Sequence, residues 1–340
     1  MNSSIFRSTL AVAALTLTTN LFAAKPGDWP QWRGANNDGI SQETGLLTEW
    51  PEGGPKTVWQ VDTIGDGYSS LAIADGRIFT QGNVDGEGRI LCLKESDGSV
   101  IWSIHPPLET KLYKHGKGDG GRGTPTVDNG LVYVEGGGGD VTCLKAETGE
   151  VVWTKHLVGD FGGNVPGWGF SESPTIDGNN VIVTPGGKEG AVVALNKLTG
   201  DIVWRSAGVG DKAHYCTAVI VESHGVRQVI TFTGGIGGKK DSGAPARVIG
   251  LDAETGDLLW SYDKSANRTA NVSTPLFHNN AVFSASAYGT GGGLARLTKS
   301  ADGFTAEPDY FETKIQNHHG GIVLVDGFIY GTGSNTLICM

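Results

Sequence analysis

Short runs of alternating apolar and polar residues dominate the chain, and one such pattern recurs four times. Each copy has an apolar run, a polar turn that ends in glycine, and a second apolar run that closes on tryptophan. Alternation with a period of two is typical of a half-buried strand, and a four- or five-residue hairpin favours a glycine in the left-handed conformation. Each copy therefore predicts strand, tight turn, strand. The copies are CLKESDGSVIW (92–102), CLKAETGEVVW (143–153), ALNKLTGDIVW (194–204) and GLDAETGDLLW (250–260).

A second hairpin, bent at Asp-Gly, Asn-Gly or Asn-Asn, precedes the copies and recurs along the chain. Its instances lie at 69–82, 124–136, 173–186, 217–234, 274–286 and 320–333. Two hairpins per repeat of about 50 residues make a four-stranded antiparallel sheet, which is the blade of a β-propeller. We therefore predict an all-β fold with about six blades. They are expected around 68–102, 122–153, 170–204, 214–260, 272–312 and from His318 onwards.

The repeated tryptophans have a packing reason. A blade widens outward, so its outermost strand needs a bulky side chain to fill the gap to the next blade, and an indole N–H finds a backbone carbonyl there. We predict a structural role for these residues rather than ligand stacking. They are Trp59, Trp102, Trp153, Trp204 and Trp260.

Composition and charge narrow the class of function. Glycine occupies 54 of 340 positions, about twice its ordinary share. Apolar residues make up 38% of the chain and charged residues 18%, which excludes a disordered protein. The net charge of −10 argues against nucleic acid as a partner.

The first 24 residues predict a signal for export from the cytoplasm. One charge, Arg7, is followed by a short apolar stretch and by small residues before Lys25, as in a secretory signal peptide. The stretch is shorter than the ~20 residues that cross a bilayer, and no cysteine stands at the cleavage point to carry a lipid anchor. We expect a periplasmic or secreted protein with no membrane span, divided into signal peptide 1–24, N-terminal extension 25–58 and propeller 59–340.

Four cysteines do not predict disulfides. Cys92 and Cys143 occupy matching repeat positions, and Cys339 lies in a similar run, so they should not come within bonding reach. We interpret these three and Cys216 as small buried hydrophobes.

The loops that enter the innermost strands of a propeller open on one face of its central channel. Residues just before those strands converge there although they are distant in sequence, and convergent polar groups at a concave mouth favour a binding site. The alternative is that they bond only neighbouring loops and water. The predicted channel-mouth residues are Tyr68, Arg122, Ser171, Glu172, His214, Tyr215, Asn271, His318 and His319.

Some residues near the mouth carry specific hypotheses. Arg122 can hold a carboxylate or phosphate, with Glu172 as its counter-ion or as a base. Trp168, in the loop NVPGWGF, lacks the packing reason of the repeat tryptophans and is the candidate for stacking on a ligand. His318 and His319 are candidate metal ligands, but adjacent strand residues point to opposite faces, so both reach one ion only if the strand begins after them.

The glycine-rich stretch Gly116–Gly121 lacks the strand-to-helix context of phosphate-binding loops. Gly116–Gly121 predicts a crossover between blades. The segment 234–246 enlarges the fourth blade, where a loop can shape a binding surface.

The repeat A-x-[DN]-x-x-T-G-x-x-x-W resembles that of the PQQ-like β-propeller superfamily, which includes quinoprotein alcohol dehydrogenases and the outer-membrane assembly factor BamB. DWPQWRGANNDGIS (28–41) and QNHHGGIVLVDGFIYG (316–331) resemble a subgroup of secreted bacterial members. The resemblance implies eight blades, with TVWQV around Trp59 as an outermost strand that completes the last one. Because the sixth copy stops at Met340 before its own turn, we expect a C-terminally truncated propeller.

Three functions remain open. We expect a non-catalytic propeller that binds an envelope protein, polymer or small ligand at its channel face, with no catalytic residue or cofactor assigned. The second is a quinoprotein-like oxidoreductase that binds pyrroloquinoline quinone (PQQ) with Ca²⁺. The resemblance implies a vicinal cysteine pair and a Glu, Asn and Asp calcium site in such enzymes, and this sequence contains no Cys-Cys. The third is a metal-dependent polysaccharide lyase or hydrolase that uses Gln316, His318 and His319.

Overall fold

The computed structural model describes residues 25, 27–109, 113–114, 119–234, 246–319 and 321–340. The predicted signal peptide, residues 116–118 of the stretch Gly116–Gly121 and loop 235–245 lie outside the described residues. Within the described ranges the regular structure is entirely β, so these residues include no helix that could span a bilayer.

The strands pair in chain order into five four-stranded antiparallel sheets and one three-stranded sheet, each of which is a blade. Blade 1 comprises β1 (Ala72–Ala74), β2 (Arg77–Val84), β3 (Glu87–Lys94) and β4 (Val100–Ile104); blade 2 comprises β5 (Thr126–Asp128), β6 (Leu131–Glu135), β7 (Asp140–Lys145) and β8 (Val151–His156); blade 3 comprises β9 (Thr175–Asp177), β10 (Asn180–Val183), β11 (Val193–Asn196) and β12 (Ile202–Arg205); blade 4 comprises β13 (Val219–Ser223), β14 (Val226–Thr233), β15 (Arg247–Asp252) and β16 (Leu258–Tyr262); blade 5 comprises β17 (Leu276–His278), β18 (Ala281–Ser286), β19 (Gly291–Ser300) and β20 (Gly303–Glu312); blade 6 comprises β21 (Val323–Val325), β22 (Phe328–Thr332) and β23 (Leu337–Cys339). The prediction of an all-β propeller with about six blades is confirmed.

The repeated tryptophan joins each of the first three blades to the next. Its indole Nε1–H donates to the backbone carbonyl just before the outer turn of the following blade, and its ring covers that turn's glycine. The donor–acceptor pairs are Trp102 with Ala146 (3.0 Å), Trp153 with Lys197 (2.9 Å) and Trp204 with Ala253 (3.0 Å). The side chain thus supplies bulk between blades while its polar group stays satisfied.

Small residues face these tryptophans across the sheet. Cys92 pairs with Trp102, Cys143 with Trp153, Ala194 with Trp204 and Gly250 with Trp260, each next to a β-bulge. Cross-strand partners directly opposite each other are close enough to compete for space, so a small side chain leaves room for the indole. This accounts for two of the cysteines, which are free and buried, as is Cys216.

Hydroxyl groups join the inner strands around the channel. Each one bonds the backbone of a neighbouring blade, so the polar groups of the channel wall are satisfied between blades. In one layer the Thr124 N–H donates to Ser173 Oγ (2.9 Å) and the Ser173 N–H to Thr217 Oγ1 (3.0 Å); in the next, Thr126 Oγ1 donates to the Pro174 carbonyl (2.6 Å) and Thr175 Oγ1 to the Ala218 carbonyl (2.9 Å). We call these bonds the inner-strand ladder.

The segment 27–40 lies against several inner strands. Trp29 exchanges two backbone hydrogen bonds with Ile73 of β1 (2.8 Å each), and the Pro30 carbonyl accepts the N–H of Val127 of β5 (2.8 Å). Arg33 is 5% exposed and donates from Nη2 to the Ile322 carbonyl beside β21 (2.7 Å). Part of the predicted N-terminal extension therefore bridges blades 1, 2 and 6 at the channel.

Three local expectations fail. The structure assigns no strand around Trp59, although its indole donates to the Glu95 carbonyl (3.0 Å) and lies on Gly98 as the other tryptophans do on their turns. Trp260 instead bonds Gln228 Oε1 of its own blade (2.7 Å), because blade 5 has a long β19–β20 hairpin in place of the usual turn. Cys339, expected to be buried, is exposed because it lies on the last strand of a three-stranded sheet.

The contact between indole and turn glycine predicts a measurable loss of stability. Gly149 has a φ of +72°, and a Cβ at this position would lie 2.8 Å from the Trp102 ring. Gly149→Ala adds this clash to the ordinary strain of a left-handed alanine, so we expect it to lower the free energy of unfolding by about 2–3 kcal/mol in denaturant titrations.

Gly76→Ala is the matched control. Gly76 has the same φ of +72°, and a Cβ added to it would meet no atom within 4 Å, so only backbone strain remains. Equal losses for the two variants would show that the indole contact contributes nothing.

Candidate functional site

A cavity of about 640 Å³ opens where the loops that enter the inner strands meet. It combines aromatic rings with hydroxyl groups, one arginine and two histidines. Its lining residues, which define the channel-mouth pocket, are Trp32, Tyr68, Arg122, Thr124, Trp168, Ser171, Ser173, Tyr215, Thr217, Ala270, Val272, Tyr288, His318 and His319. A volume of this size suits a drug-sized or ring-bearing ligand.

One wall is built from Trp168 and Tyr215. The loop before β9 makes a tight turn in which the Gly169 N–H donates to the Pro166 carbonyl (2.9 Å), and this turn carries Trp168 into the pocket. The two rings meet edge to face with centroids 5.7 Å apart, a favourable aromatic arrangement. The Trp168 N–H also donates to the Tyr215 hydroxyl (3.4 Å), so the wall is held by packing and by a hydrogen bond.

Arg122 and Tyr68 form a second wall. The Arg122 guanidinium carbon lies 4.5 Å from the centroid of the Tyr68 ring, which is a cation–π distance. The Tyr68 N–H donates to the Gly121 carbonyl (3.1 Å) and thereby ties the entry loop of blade 1 to that of blade 2. The contact with the ring holds the guanidinium, with its planar fork of donors, at the pocket wall.

Tyr288, His318 and His319 form the third wall. His318 and His319 stack with centroids 3.7 Å apart, and Tyr288 meets His318 edge to face at 4.8 Å. Burial and the neighbouring His319 lower the pKa of His318, which favours its neutral form near pH 7. Because β21 begins only at Val323, both histidines face the same pocket rather than opposite sides of a strand.

Trp32 lines the pocket from the segment 27–40. Its neighbours Trp29 and Arg33 are fixed to β1 and to the Ile322 carbonyl, as described above, so the segment holds Trp32 on both sides. Burial lowers the pKa of Arg33, whose guanidinium donates to the carbonyls of Asp38 (2.8 Å) and Ile322 (2.7 Å).

The other predicted residues lie behind the pocket wall. Glu172, His214 and Asn271 are 2%, 3% and 0% exposed and do not line the cavity. His214 Nδ1 accepts the Asn271 N–H (2.7 Å), and the Asn271 side chain bonds the backbone of Asn267 on both of its polar atoms. These two residues hold the entry loops of blades 4 and 5 in place.

Glu172 belongs to a buried acid pair. Its Oε1 accepts the backbone N–H of Thr184, and its carboxyl meets that of Glu135. Burial raises the pKa of Glu135 well above its usual value, and repulsion from Glu172 and Asp140 raises it further. Burial likewise raises the pKa of Glu172. A single proton shared between the two carboxyl groups would remove this repulsion. With its oxygen bonded to Thr184 and its carboxyl against Glu135, Glu172 is a structural partner of Glu135.

The donor chemistry of the pocket does not fit PQQ with Ca²⁺. Calcium needs six to eight oxygen ligands, usually including carboxylates, and no Asp or Glu among the described residues lines this cavity. Across the described residues, no group of three or more His, Cys, Asp or Glu side chains could hold a metal ion. Trp168 and Arg122 could still contact a flat anionic ring, but the calcium part of the cofactor has no ligand set here.

Sequence reasoning missed several lining residues, of which Trp32 and Tyr288 are the largest. Trp32 lies outside the repeats, so no repeat position marked it. Tyr288 lies at the β18–β19 hairpin tip, and such tips return to the face from which the inner strand enters. In every blade the second strand runs antiparallel to the inner strand, so the hairpin between the second and third strands returns to the mouth. This rule could have predicted Tyr288 as a lining residue.

Comparisons with known proteins agree with this architecture. Residues 86–340 match the family model described as outer membrane protein assembly factor BamB. Tetrathionate hydrolase of Acidithiobacillus ferrooxidans is 25% identical over 57% of this chain and 36% of its own length. BamB of Yersinia pestis is 23% identical over 76% of this chain and 61% of its own. The chain thus spans about a third to three fifths of these curated relatives.

The fold is also similar to that of quinohemoprotein alcohol dehydrogenase from Comamonas testosteroni. The superposition has a TM-score of 0.63 at 14% identity and covers 93% of this chain and 59% of the other. At this identity the likeness shows the fold alone.

The buried acid pair predicts a dependence of stability on pH. Folding raises both carboxyl pKa values from about 4.5, so the folded protein binds more protons than the unfolded chain above that pH. Stability therefore falls as pH rises through the raised values. Glu135→Gln imitates the protonated partner, and we expect its melting temperature to fall less than that of the parent protein between about pH 5 and pH 8.

Glu222→Gln, an exposed position on β13, serves as the control and should follow the parent profile in the same circular-dichroism melts. Parallel profiles for Glu135→Gln and the parent would mean that the pair does not share a proton.

Proposed function

The chain belongs to the family described as outer membrane protein assembly factor BamB, within the PQQ-like β-propellers, and we propose that it is a non-catalytic binding protein that uses its channel-mouth pocket. The observation that supports this most is the lining itself. Five aromatic side chains, Trp32, Tyr68, Trp168, Tyr215 and Tyr288, converge with Arg122 in one cavity. Aromatic walls and a few placed polar groups are typical of ligand sites.

The pocket's polar groups suit binding more than catalysis. Its hydroxyls at Ser173 and Thr217 already accept backbone N–H groups of the inner-strand ladder. The described residues of the lining include no carboxylate or cysteine, so its candidate bases are limited to His318 and His319 and its candidate nucleophiles to hydroxyl groups. The buried Glu172 is engaged with Thr184 and Glu135 and does not reach a ligand in the cavity.

A quinoprotein-like oxidoreductase is the alternative, favoured by the fold likeness to quinohemoprotein alcohol dehydrogenase and by the flat wall of Trp168. The lining offers Arg122 and the histidines to an anionic ring, but its described residues include no carboxylate to hold calcium. A metal-dependent lyase or hydrolase at Gln316, His318 and His319 has less support, since among the described residues no third His, Cys, Asp or Glu joins the two stacked histidines.

The proposal extends to the compartment in which the protein acts and to the partner it meets there. The N-terminal 24 residues favour export to the periplasm or beyond, where an envelope protein, an envelope polymer or a small ligand would be the partner. The name of the BamB relatives, outer membrane protein assembly factor, is compatible with an envelope partner for this chain.

Binding at the pocket can be tested by tryptophan fluorescence and calorimetry with PQQ, with and without Ca²⁺, and with neutral sugars. Trp168→Ala removes one wall, and we expect it to weaken any saturable binding by about tenfold or more. Trp50→Ala is the matched control, because Trp50 is 73% exposed and lies outside the cavity.

Two results would contradict the proposal. Binding that is unchanged in both Trp168→Ala and Arg122→Ala would place the site elsewhere. Dye-linked oxidation of alcohols in the presence of PQQ and Ca²⁺ would make the protein an enzyme.

A further inference from the structure

A second cavity of about 570 Å³ adjoins the channel-mouth pocket. It lies between blades 5 and 6 and shares Tyr288 and His318 with the pocket. We call it the adjacent cavity. Its lining residues are Ala287, Tyr288, Gln316, His318, Thr332, Gly333, Ser334, Asn335, Thr336 and Leu337.

The adjacent cavity is polar but uncharged. None of the described residues that line it is Asp, Glu, Lys or Arg, and the lowered pKa of His318, which follows from burial and His319, favours the neutral imidazole. Hydroxyl and amide groups at Ser334, Asn335 and Thr336 are exposed on the β22–β23 hairpin. Such side chains both donate and accept hydrogen bonds, so they match a ligand that is rich in hydroxyl or amide groups and carries no charge.

The wall between the two cavities is a pair of rings. Tyr288 is 52% exposed and meets His318 edge to face at 4.8 Å. Gln316 holds the loop that carries Tyr288, because its Oε1 accepts the backbone N–H of the next residue, Gly289 (3.0 Å). A ligand that fills both cavities must therefore pass over an aromatic face.

Sugar rings have the chemistry that both cavities require. The C–H face of a pyranose packs on aromatic rings, whose π faces carry partial negative charge, while its hydroxyls bond hydroxyl and amide side chains. A peptide recognised as an added strand would pair along a free sheet edge. Such an edge reaches the adjacent cavity only at Leu337, the first residue of β23, and the other residues given for the cavity lie on entry loops, on hairpin tips and at the end of β22.

Resting on the binding role proposed above, we propose that the two cavities form consecutive subsites for a neutral oligosaccharide. The channel-mouth pocket takes one end between Trp168 and Tyr288, and the adjacent cavity takes the following residues of the same chain. The ligand is bound and released unchanged.

The test is calorimetry with N-acetylglucosamine oligomers and maltooligosaccharides of one to six sugar units. We expect at least one series to bind about tenfold more tightly once it is long enough to enter both cavities. Ser334→Ala/Asn335→Ala removes side-chain groups from the adjacent cavity and should abolish that gain while leaving binding of the shortest bound sugar unchanged. Gln60→Ala, at an exposed position outside both cavities, should change neither.

Other outcomes would overturn the inference in separable ways. Sugar binding that is lost in Trp168→Ala but shows no dependence on length would remove the second subsite and leave the pocket's binding role intact. Binding of PQQ or of an unstructured peptide at the pocket, with no binding of either sugar series, would refute the assignment to neutral glycans. Length-dependent binding that survives Ser334→Ala/Asn335→Ala would locate the further subsite elsewhere.

Discussion

The contact between neighbouring blades is the constraint on which this structure depends. On the outside, an indole fits over the turn glycine of the next blade and bonds the carbonyl before it, as Trp153 does with Lys197. On the inside, the hydroxyls of the inner-strand ladder bond the backbone of the neighbouring blade. Because neighbouring blades are fixed to each other both near the channel and at the outer edge, the angle between them is set. This angle arranges the blades around one axis, so that their entry loops meet at one mouth.

Different sets of residues stabilise the blades and line the pocket. Repeat positions carry the tryptophans, the small residues opposite them and the turn glycines, while the pocket draws on positions that differ from blade to blade, such as Tyr68, Arg122 and Trp168. Functional residues on loops held by a rigid scaffold are the general pattern for such folds. The acid pair of Glu135 and Glu172 lies directly behind the pocket wall, because Glu172 stands between the lining residues Ser171 and Ser173.

Much of the fold could be predicted from the sequence because each blade repeats its own local signals. The period of about 50 residues, the turn glycines and the tryptophans marked five blades and the start of the sixth. The site was harder, since repeat position says that Glu172 and Asn271 lie near the mouth but not which way their side chains point. Contacts with neighbouring groups decide that: Glu172 accepts the backbone N–H of Thr184 in its own blade, and its carboxyl meets that of Glu135 in blade 2, so it lies behind the pocket wall. Trp32 lies outside the repeat and carried no periodic signal.

Convergence of distant loops at one opening is the central claim, and cross-linking tests it most directly. Tyr68→Cys/Tyr288→Cys, made in a Cys339→Ser background, places exposed thiols from blades 1 and 5 on one cavity, while the remaining cysteines are buried. A short bis-maleimide should join them within one chain, as judged by intact mass and peptide mapping, and should not join Tyr68→Cys to Ser300→Cys on the β19–β20 hairpin. Failure to link the first pair, or equal linking of both, would contradict the shared mouth.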